Sequence, residues 1–192
     1  MTTKSPFDNP GDRWPTLDVR VLPYDPDWAV RFVLEADLLR TALGATAHTI
    51  EHFGSTSVPG MRAKPIIDIF VELTGPLLPH EREALRQQGY VHERQVDDPE
   101  IVFLGKGAHE VHLQLVPRNH GSVIAKRALR DYLRAHAHEA RAYADVKTGL
   151  AASTQGVARD YALGKRAYVD ALEGRALAWY VTTHPSAGNE ST

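Results

Sequence analysis

The stretch that decides the fold is EHFGSTSVPGMRAKPIIDIFVEL, residues 51–73. Its first half is a turn of glycine and hydroxyl residues. Its second half is an apolar run, typical of a buried strand, that contains a single acid, Asp68. Alternation along the strand puts Asp68 on the same face as Ile66 and Phe70. Because an isolated buried charge is costly, we expect the carboxylate to be paired or to lie at the edge of the core.

The turn consists of Gly54, Ser55, Thr56 and Ser57. Its clustered hydroxyls and amides could hold a phosphate, because oriented backbone N–H groups form an anion-binding nest. It lacks the Walker spacing, and an ordinary tight turn capped by Ser and Thr stays open as an alternative. An Asp beside a phosphate-holding loop is suited to Mg²⁺, which takes oxygen ligands. Equally, Asp68 could be a structural residue bonded to backbone amides or to Lys64.

The remaining pattern predicts an α+β protein with the order βα–β–α–ββ–αα. The strands are expected at 17–25, 65–73, 101–107 and 110–117, the last two as a hairpin. The helices are expected at 25–44, 77–90 and 122–174, the last one broken near 153–156. The first helix is expected to bury a stripe of Val30, Val33, Leu34, Leu38 and Ala42. The chain then divides into a tail (1–16), a core (17–120), a helical segment packed on it (121–176) and a second tail (177–192).

Two further patterns carry polar chemistry. The segment EVHLQL places Glu110, His112 and Gln114 on one strand face, which is either a ligand-facing surface or an exposed sheet face. Two tyrosine–lysine pairs, each four residues apart, share a helix face: Tyr143 with Lys147, and Tyr161 with Lys165. Such pairs could receive a phosphate and a base. They could also be snorkelling lysines beside packed tyrosines.

Composition narrows the class of protein. The 192 residues carry a net charge of −2, with 43% hydrophobic and 24% charged residues, as in an ordinary globular protein. There is no cysteine, so disulfides, thiolate nucleophiles and cysteine zinc sites are excluded. No apolar signal region or membrane-length stretch is present, so we expect a cytoplasmic protein without a membrane partner. Without a basic footprint we do not expect a nucleic-acid partner.

The motif pair GSTSVPG and KPIIDI closely resembles the signature of the GrpB family. This family is also called UPF0157, and it is related to the C-terminal domain of some dephospho-CoA kinases. The resemblance extends over about residues 18–173 and includes the HLQLV strand and both tyrosine–lysine pairs. It implies a nucleotidyltransferase-like fold: a small mixed β-sheet with flanking helices and a helical C-terminal segment. In that superfamily a Gly-Ser turn precedes a strand bearing metal-binding acids.

The resemblance implies a protein, monomeric or homodimeric, that binds a nucleotide or a phosphorylated metabolite with Mg²⁺ and could transfer a nucleotidyl or acyl group. Under this hypothesis Asp68 binds the metal or acts as a base, and His112 acts as general acid or base. The turn 54–57 with Lys64, Lys147 and Lys165 would hold phosphates. The substrate face would comprise His52, Glu110, Gln114, Tyr143 and Tyr161.

Two departures from the superfamily pattern leave alternatives open. Phe70 stands where active nucleotidyltransferases usually have a second acid, and Gln114 stands where the family commonly has a histidine. Glu51 and Glu110 could supplement Asp68, although neither lies at the place where the superfamily has its further acids. The alternatives are a non-catalytic binding or folding-assistance module, and a specialised biosynthetic enzyme acting on an amino-acid or aminoglycoside substrate.

Overall fold

The structure is a computed structural model that describes residues 19–94, 96, 98–108, 110–155 and 157–184. Its five α-helices are α1 Asp27–Leu43, α2 Pro79–Gln87, α3 Gly121–Ala135, α4 Ala137–Ser153 and α5 Ala158–Thr183. Its five strands are β1 Ala47–Phe53, β2 Ile67–Leu73, β3 Tyr90–Arg94, β4 Val102–Lys106 and β5 Val111–Pro117. The α+β class is therefore confirmed.

The strands form one mixed sheet in the order β1-β2-β5-β4-β3. The central pair β2 and β5 is parallel, and every other pair is antiparallel. The predicted hairpin 101–117 is confirmed as β4 and β5. The parallel register puts Asp68 directly beside His112, and Phe70 beside Gln114. Polar residues that were predicted to share a strand face thus also share one face of the sheet.

The two faces of the sheet are covered by different helices. Ile67, Ile69 and Val71 point into the main core, which α1 and α2 complete with Leu39 and Leu85. The opposite face carries Phe70 and Val116, which pack with Phe53 and with Val123 of α3. The helices α3, α4 and α5 form their own apolar cluster around Leu133, Tyr143 and Leu172. Asp68 faces this helical segment.

Several predicted elements differ from the structure. The strand expected at 17–25 reduces to one isolated bridge between Leu22 and Ala63, and residues 17 and 18 lie outside the described residues. Strands β1 and β3 were not predicted. The tail 1–16 lies outside the described residues. Helix α5 continues to Thr183, through the start of the segment 177–192 assigned to a second tail.

The buried face of α1 is not the predicted one. Val30, Val33 and Leu34 are more than half exposed, and Leu38 is also exposed. Of the predicted stripe only Ala42 is buried, and the core takes Trp28, Ala36, Leu39 and Leu43 in place of the others. The helix carries apolar residues on two faces, and contact with the sheet selects the one that contains the large Trp28 ring. Among the described helices, none has the length and apolar character that a membrane-crossing segment requires.

Candidate functional site

The turn that precedes β2 is shaped by Gly54. This residue has φ 70° and ψ −174°, a backbone conformation that is essentially restricted to glycine. A Cβ added at this position would overlap Asp68 Oδ2. Glycine is therefore required twice, for its dihedral angles and for the close approach of the carboxylate. The loop and the strand form one unit in which Asp68 lies against the turn.

A buried hydrogen-bond chain holds the turn in place. The Thr56 hydroxyl donates to the carbonyl of Ile66 at 2.9 Å, so it accepts the hydrogen bond from His52 Nε2 at 3.0 Å. Burial lowers the pKa of His52 to about 4, with the nearby cations Arg134 and Arg130 lowering it further. His52 is thus neutral, with its ring stacked on Phe32. Ser57 Oγ donates to the carbonyl of Gly54 at 2.6 Å.

Asp68 and His112 are neighbours across the parallel pair of strands. Asp68 Oδ1 lies 3.3 Å from His112 Nδ1, and 27% of the Asp68 side chain remains exposed. The ring of Phe103 on β4 covers His112 at a centroid distance of 5.2 Å. The pair therefore lies at the wall of the cavity between the sheet and the helices α3, α4 and α5, with the carboxylate still accessible.

A cavity of about 290 Å³ opens between this face of the sheet and the helices α3, α4 and α5. It brings together eleven predicted site residues: Gly54, Ser55, Thr56, Lys64, Asp68, His112, Gln114, Tyr143, Lys147, Tyr161 and Lys165. Ile66, the apolar neighbour of Asp68, also lines it. The cavity is therefore built from the sheet and from the helical segment together.

Four lysines from four parts of the chain line the cavity. Lys64 precedes β2, whereas Lys126, Lys147 and Lys165 come one each from α3, α4 and α5. Burial lowers the pKa of Lys147 to about 7, and the charges of Lys165 and Lys64 lower it further. Burial and the charge of Lys64 lower the pKa of Lys165 to about 8. The mutual repulsion of these amines would be relieved by an anion between them.

The predicted tyrosine–lysine pairs are real contacts that face this cavity. Lys147 Nζ lies 4.9 Å from the centre of the Tyr143 ring, and it donates a 2.6 Å hydrogen bond to the carbonyl of Arg62. Lys165 and Lys64 lie 5.5 and 5.4 Å from the Tyr161 ring. Burial raises the pKa of Tyr161 to about 12, so its hydroxyl stays protonated. Cation–π contacts thus hold the ammonium groups at the cavity wall.

Glu51 and Glu72 cannot serve as further metal ligands. Glu51 is bound by Arg127 and by Arg130, the latter at 2.8 Å. Glu72 accepts from Arg127 at 2.5 Å and from Thr49 at 2.8 Å. Burial alone would raise the pKa of both carboxyls. The arginine contacts lower the pKa of Glu51 below its ordinary value, and the hydrogen bonds from Thr49 and Arg127 do the same for Glu72. These carboxylates fix α3 against β1 and β2.

Three predicted site residues do not line the cavity. His52 and Ser57 are buried behind the turn, where they support it. Glu110 is exposed beside the hairpin turn, because the chain has not yet entered β5 at this residue. The structure thus places His52 and Ser57 behind the turn and Glu110 at the surface, outside the cavity that the other predicted site residues line.

The sequence analysis missed several lining residues. Lys126 and Arg130 lie four apart on α3, and that spacing was the available signal. Phe103 and Glu173 line the cavity from β4 and α5, and no motif marks either of them. Glu173 is, with Asp68, one of the two carboxylates among the described lining residues.

One further group of potential metal ligands lies elsewhere, at the start of α3. Oxygen atoms of Asp98 and Glu100 lie 3.1 and 3.9 Å from His120 Nε2. His120 Nδ1 accepts a hydrogen bond from the backbone N–H of Ser122, which caps the helix. With Nδ1 accepting, Nε2 carries the proton and donates to Asp98. This arrangement is that of a helix cap.

Comparison with known proteins identifies close relatives. The family model described as GrpB protein matches residues 18–175. The UPF0157 protein PA4798 of Pseudomonas aeruginosa is 36% identical, covering 96% of this chain and 79% of the relative. The crystal structure of the conserved protein GrpB from Enterococcus faecalis has a TM-score of 0.76 at 29% identity, covering 84% of this chain and 99% of that chain.

Two more distant similarities concern enzymes. A dephospho-CoA kinase of Mycolicibacterium paratuberculosis is 38% identical over 72 residues, which is 31% of this chain and 18% of the relative. The structures of a GLD-2/RNP-8 complex, of a cytoplasmic RNA terminal U-transferase and of the Cid1 poly (U) polymerase match with TM-scores of 0.49 or less at 14–16% identity. That level of structural likeness is too low to support an argument.

Proposed function

This chain belongs to the GrpB family, and from that premise we propose that it binds a nucleotide or another phosphorylated metabolite together with one Mg²⁺ ion. The observation that carries the proposal is the set of four lysines around Asp68 and the glycine turn. Such a concentration of positive charge in a partly buried cavity favours a multiply charged anion.

The lining fits one divalent cation. Mg²⁺ keeps several waters and is usually held by one or two carboxylates together with substrate phosphates. Asp68 provides a partly exposed carboxylate, and a phosphate at the neighbouring turn would be repelled by it unless a cation lay between them. When bound, the metal would neutralise charge on the phosphates. Glu51 is held by arginines and Phe70 carries no ligand atom, so these residues offer nothing to a second ion.

In this proposal the amide groups of residues 54–56 and the Ser55 hydroxyl orient the phosphates, and the lysines neutralise them. His112 Nδ1 lies 3.3 Å from Asp68 Oδ1. His112 would accept or hold the proton of the group that receives the transferred nucleotidyl or acyl group. Transfer of a nucleotidyl or acyl group is the reaction that this arrangement supports best. A nucleotidyltransferase-like activity of this kind would use one metal ion and lysines, where a two-metal enzyme uses several carboxylates.

The alternative is a binding or folding-assistance module without catalysis. The arginine-bound Glu51 and the presence of Phe70 favour it, because Asp68 then has no neighbouring acid on the sheet. In that case the cavity would still bind an anion, but no turnover would depend on Asp68.

The test is a thermal-shift screen of ATP, other nucleoside triphosphates and coenzyme A precursors, each with and without Mg²⁺. We expect a higher Tm with at least one of them, a larger shift with Mg²⁺, and loss of the Mg²⁺ effect in Asp68→Asn. The matched control is Asp170→Asn, an exposed acid on α5 outside the cavity. No shift with any compound contradicts the proposal. A shift without Asp68-dependent turnover of the same ligand selects the binding module.

A further inference from the structure

The cavity is electrically asymmetric along α5. Lys165, Val169 and Glu173 are spaced four residues apart, and all three line it. At a rise of about 1.5 Å per residue, the lysine and the glutamate lie about 12 Å apart along the helix axis. Along α5, the lining of the cavity therefore changes from a cation to an acid over two helical turns.

Glu173 differs from most of the other half-buried carboxylates of the described chain. Glu35, Glu51, Asp131 and Glu139 each have a lysine or arginine within ion-pair distance, whereas Asp68 and Asp98 have only a histidine there. Among the described residues, no cation lies within 4 Å of the Glu173 carboxylate. Half-buried acids are seldom left in this state, because partial desolvation is unfavourable unless a positive charge compensates for it.

Resting on the proposed phosphate site, we propose that Glu173 marks a second subsite, which binds the ammonium group of an amine acceptor. The apolar side chains of Val169 and Leu133, which line the same cavity, would contact the carbon body of that amine. A nucleotide at the lysine end and an amine at the Glu173 end would then share one cavity. The substrate class is a small primary amine, which includes amino acids and amino sugars.

Occupancy of the two ends should be coupled. In the empty cavity the four lysines repel an entering ammonium group, whereas a bound polyphosphate with Mg²⁺ cancels that repulsion. The amine is therefore expected to bind more tightly after the anion has bound. Such coupling is reciprocal, so binding of the amine should also increase the affinity of the cavity for the polyphosphate.

The experiment is an NMR titration of the full chain with butylamine, with inorganic tripolyphosphate and Mg²⁺ present, and with 1-butanol as the uncharged control. We expect butylamine to perturb the amides near Glu173, and 1-butanol to bind more weakly. Glu173→Gln should lower the affinity for butylamine about tenfold or more and leave tripolyphosphate binding unchanged. Asp170→Asn, on the same helix but exposed, should match wild type.

Equal butylamine affinity in wild type and Glu173→Gln overturns the subsite, as does equal binding of 1-butanol or no binding of butylamine. Tripolyphosphate binding separates this failure from failure of the phosphate site. If tripolyphosphate does not bind, the proposed function fails. The titration with butylamine alone then still decides whether Glu173 binds an amine.

Discussion

The carboxylate of Asp68 packs directly against Gly54, so closely that a Cβ at residue 54 would overlap Asp68 Oδ2. The turn and the acid are therefore positioned by each other. A ligand held by the turn necessarily meets this carboxylate. An anion bound at the turn would therefore lie beside the negative charge of Asp68, and a cation between them would be needed to offset the repulsion.

The first prediction concerns that contact. Gly54→Ala should lower the free energy of unfolding by about 2–4 kcal/mol, since it adds a steric overlap to a backbone conformation that alanine does not favour. Gly60→Ala is the matched control, because Gly60 also has a positive φ of 76° but open space around it. That variant should cost about 1–2 kcal/mol. Equal losses in the two variants, measured by urea unfolding, would show that Asp68 is not confined by the turn.

The second prediction concerns Lys147. Its pKa in the folded protein, about 7, lies below the ordinary lysine value of 10.5. Below about pH 7 its charge therefore opposes folding fully, and this effect disappears as the pH rises toward 10.5. Lys147→Met should stabilise the ligand-free protein by about 1–2 kcal/mol near neutral pH, after the loss of the bond to Arg62 is included.

Urea unfolding at about pH 6 and about pH 10 checks this prediction. The stabilisation of Lys147→Met relative to wild type should be smaller at the higher pH. Arg141→Met, an exposed cation on the same helix, should show no such gain. A Lys147→Met variant that is less stable than wild type at both pH values would indicate that the amine stabilises the empty cavity.

The third prediction concerns acid sensitivity. The folded pKa of His52 is about 4 against 6.5 for the free side chain, so stability should be lost as the pH falls from 6.5 to 4. The loss from this group is of the order of 3 kcal/mol. His52→Gln should be less stable near pH 7 but should show a flatter profile. His80→Gln, at an exposed position on α2, should show the same dependence of stability on pH as wild type. If His52→Gln also keeps the wild-type pH dependence, His52 is not the group that causes the loss of stability in acid.

The fourth prediction concerns anion affinity. With pKa values of about 7 and about 8, Lys147 and Lys165 lose charge as the pH rises through this range. Binding of sulfate, whose charge stays constant there, should weaken as the pH rises, and binding should take up protons. Calorimetry in buffers of different ionisation enthalpy measures both effects. Sulfate affinity that does not vary with pH would mean that these amines do not contact the anion.

Much of the fold could be predicted from periodicity, with instructive exceptions. The sequence AHTIEHF of β1 lacks a clear apolar alternation, because its polar members have specific partners. Glu51 binds two arginines of α3, and His52 binds Thr56. The arginine partners of Glu51 are distant in sequence and therefore leave no local signal. The face of α1 was likewise ambiguous, since only contact with the sheet decides between two apolar stripes.

The candidate site was partly predictable for the same reason. Gly54, Asp68 and the tyrosine–lysine pairs lie in local motifs, and the structure gathers them around one cavity. Phe103 and Glu173 come from elements that reach the cavity only through tertiary packing. The exclusion of Glu51 also depended on packing, because its arginine partners lie on α3, more than seventy residues away in the chain.

The most direct test of the proposed metal and nucleotide site is calorimetric titration of ATP with Mg²⁺ into wild type and Asp68→Asn. Electron paramagnetic resonance with Mn²⁺ in place of Mg²⁺ counts the bound ions. We predict one metal ion per chain in wild type, no tightly bound ion in Asp68→Asn, and weaker ATP binding in Lys165→Met. Two ions per chain, or binding of ATP with Mg²⁺ that is unchanged by Asp68→Asn, would contradict the account.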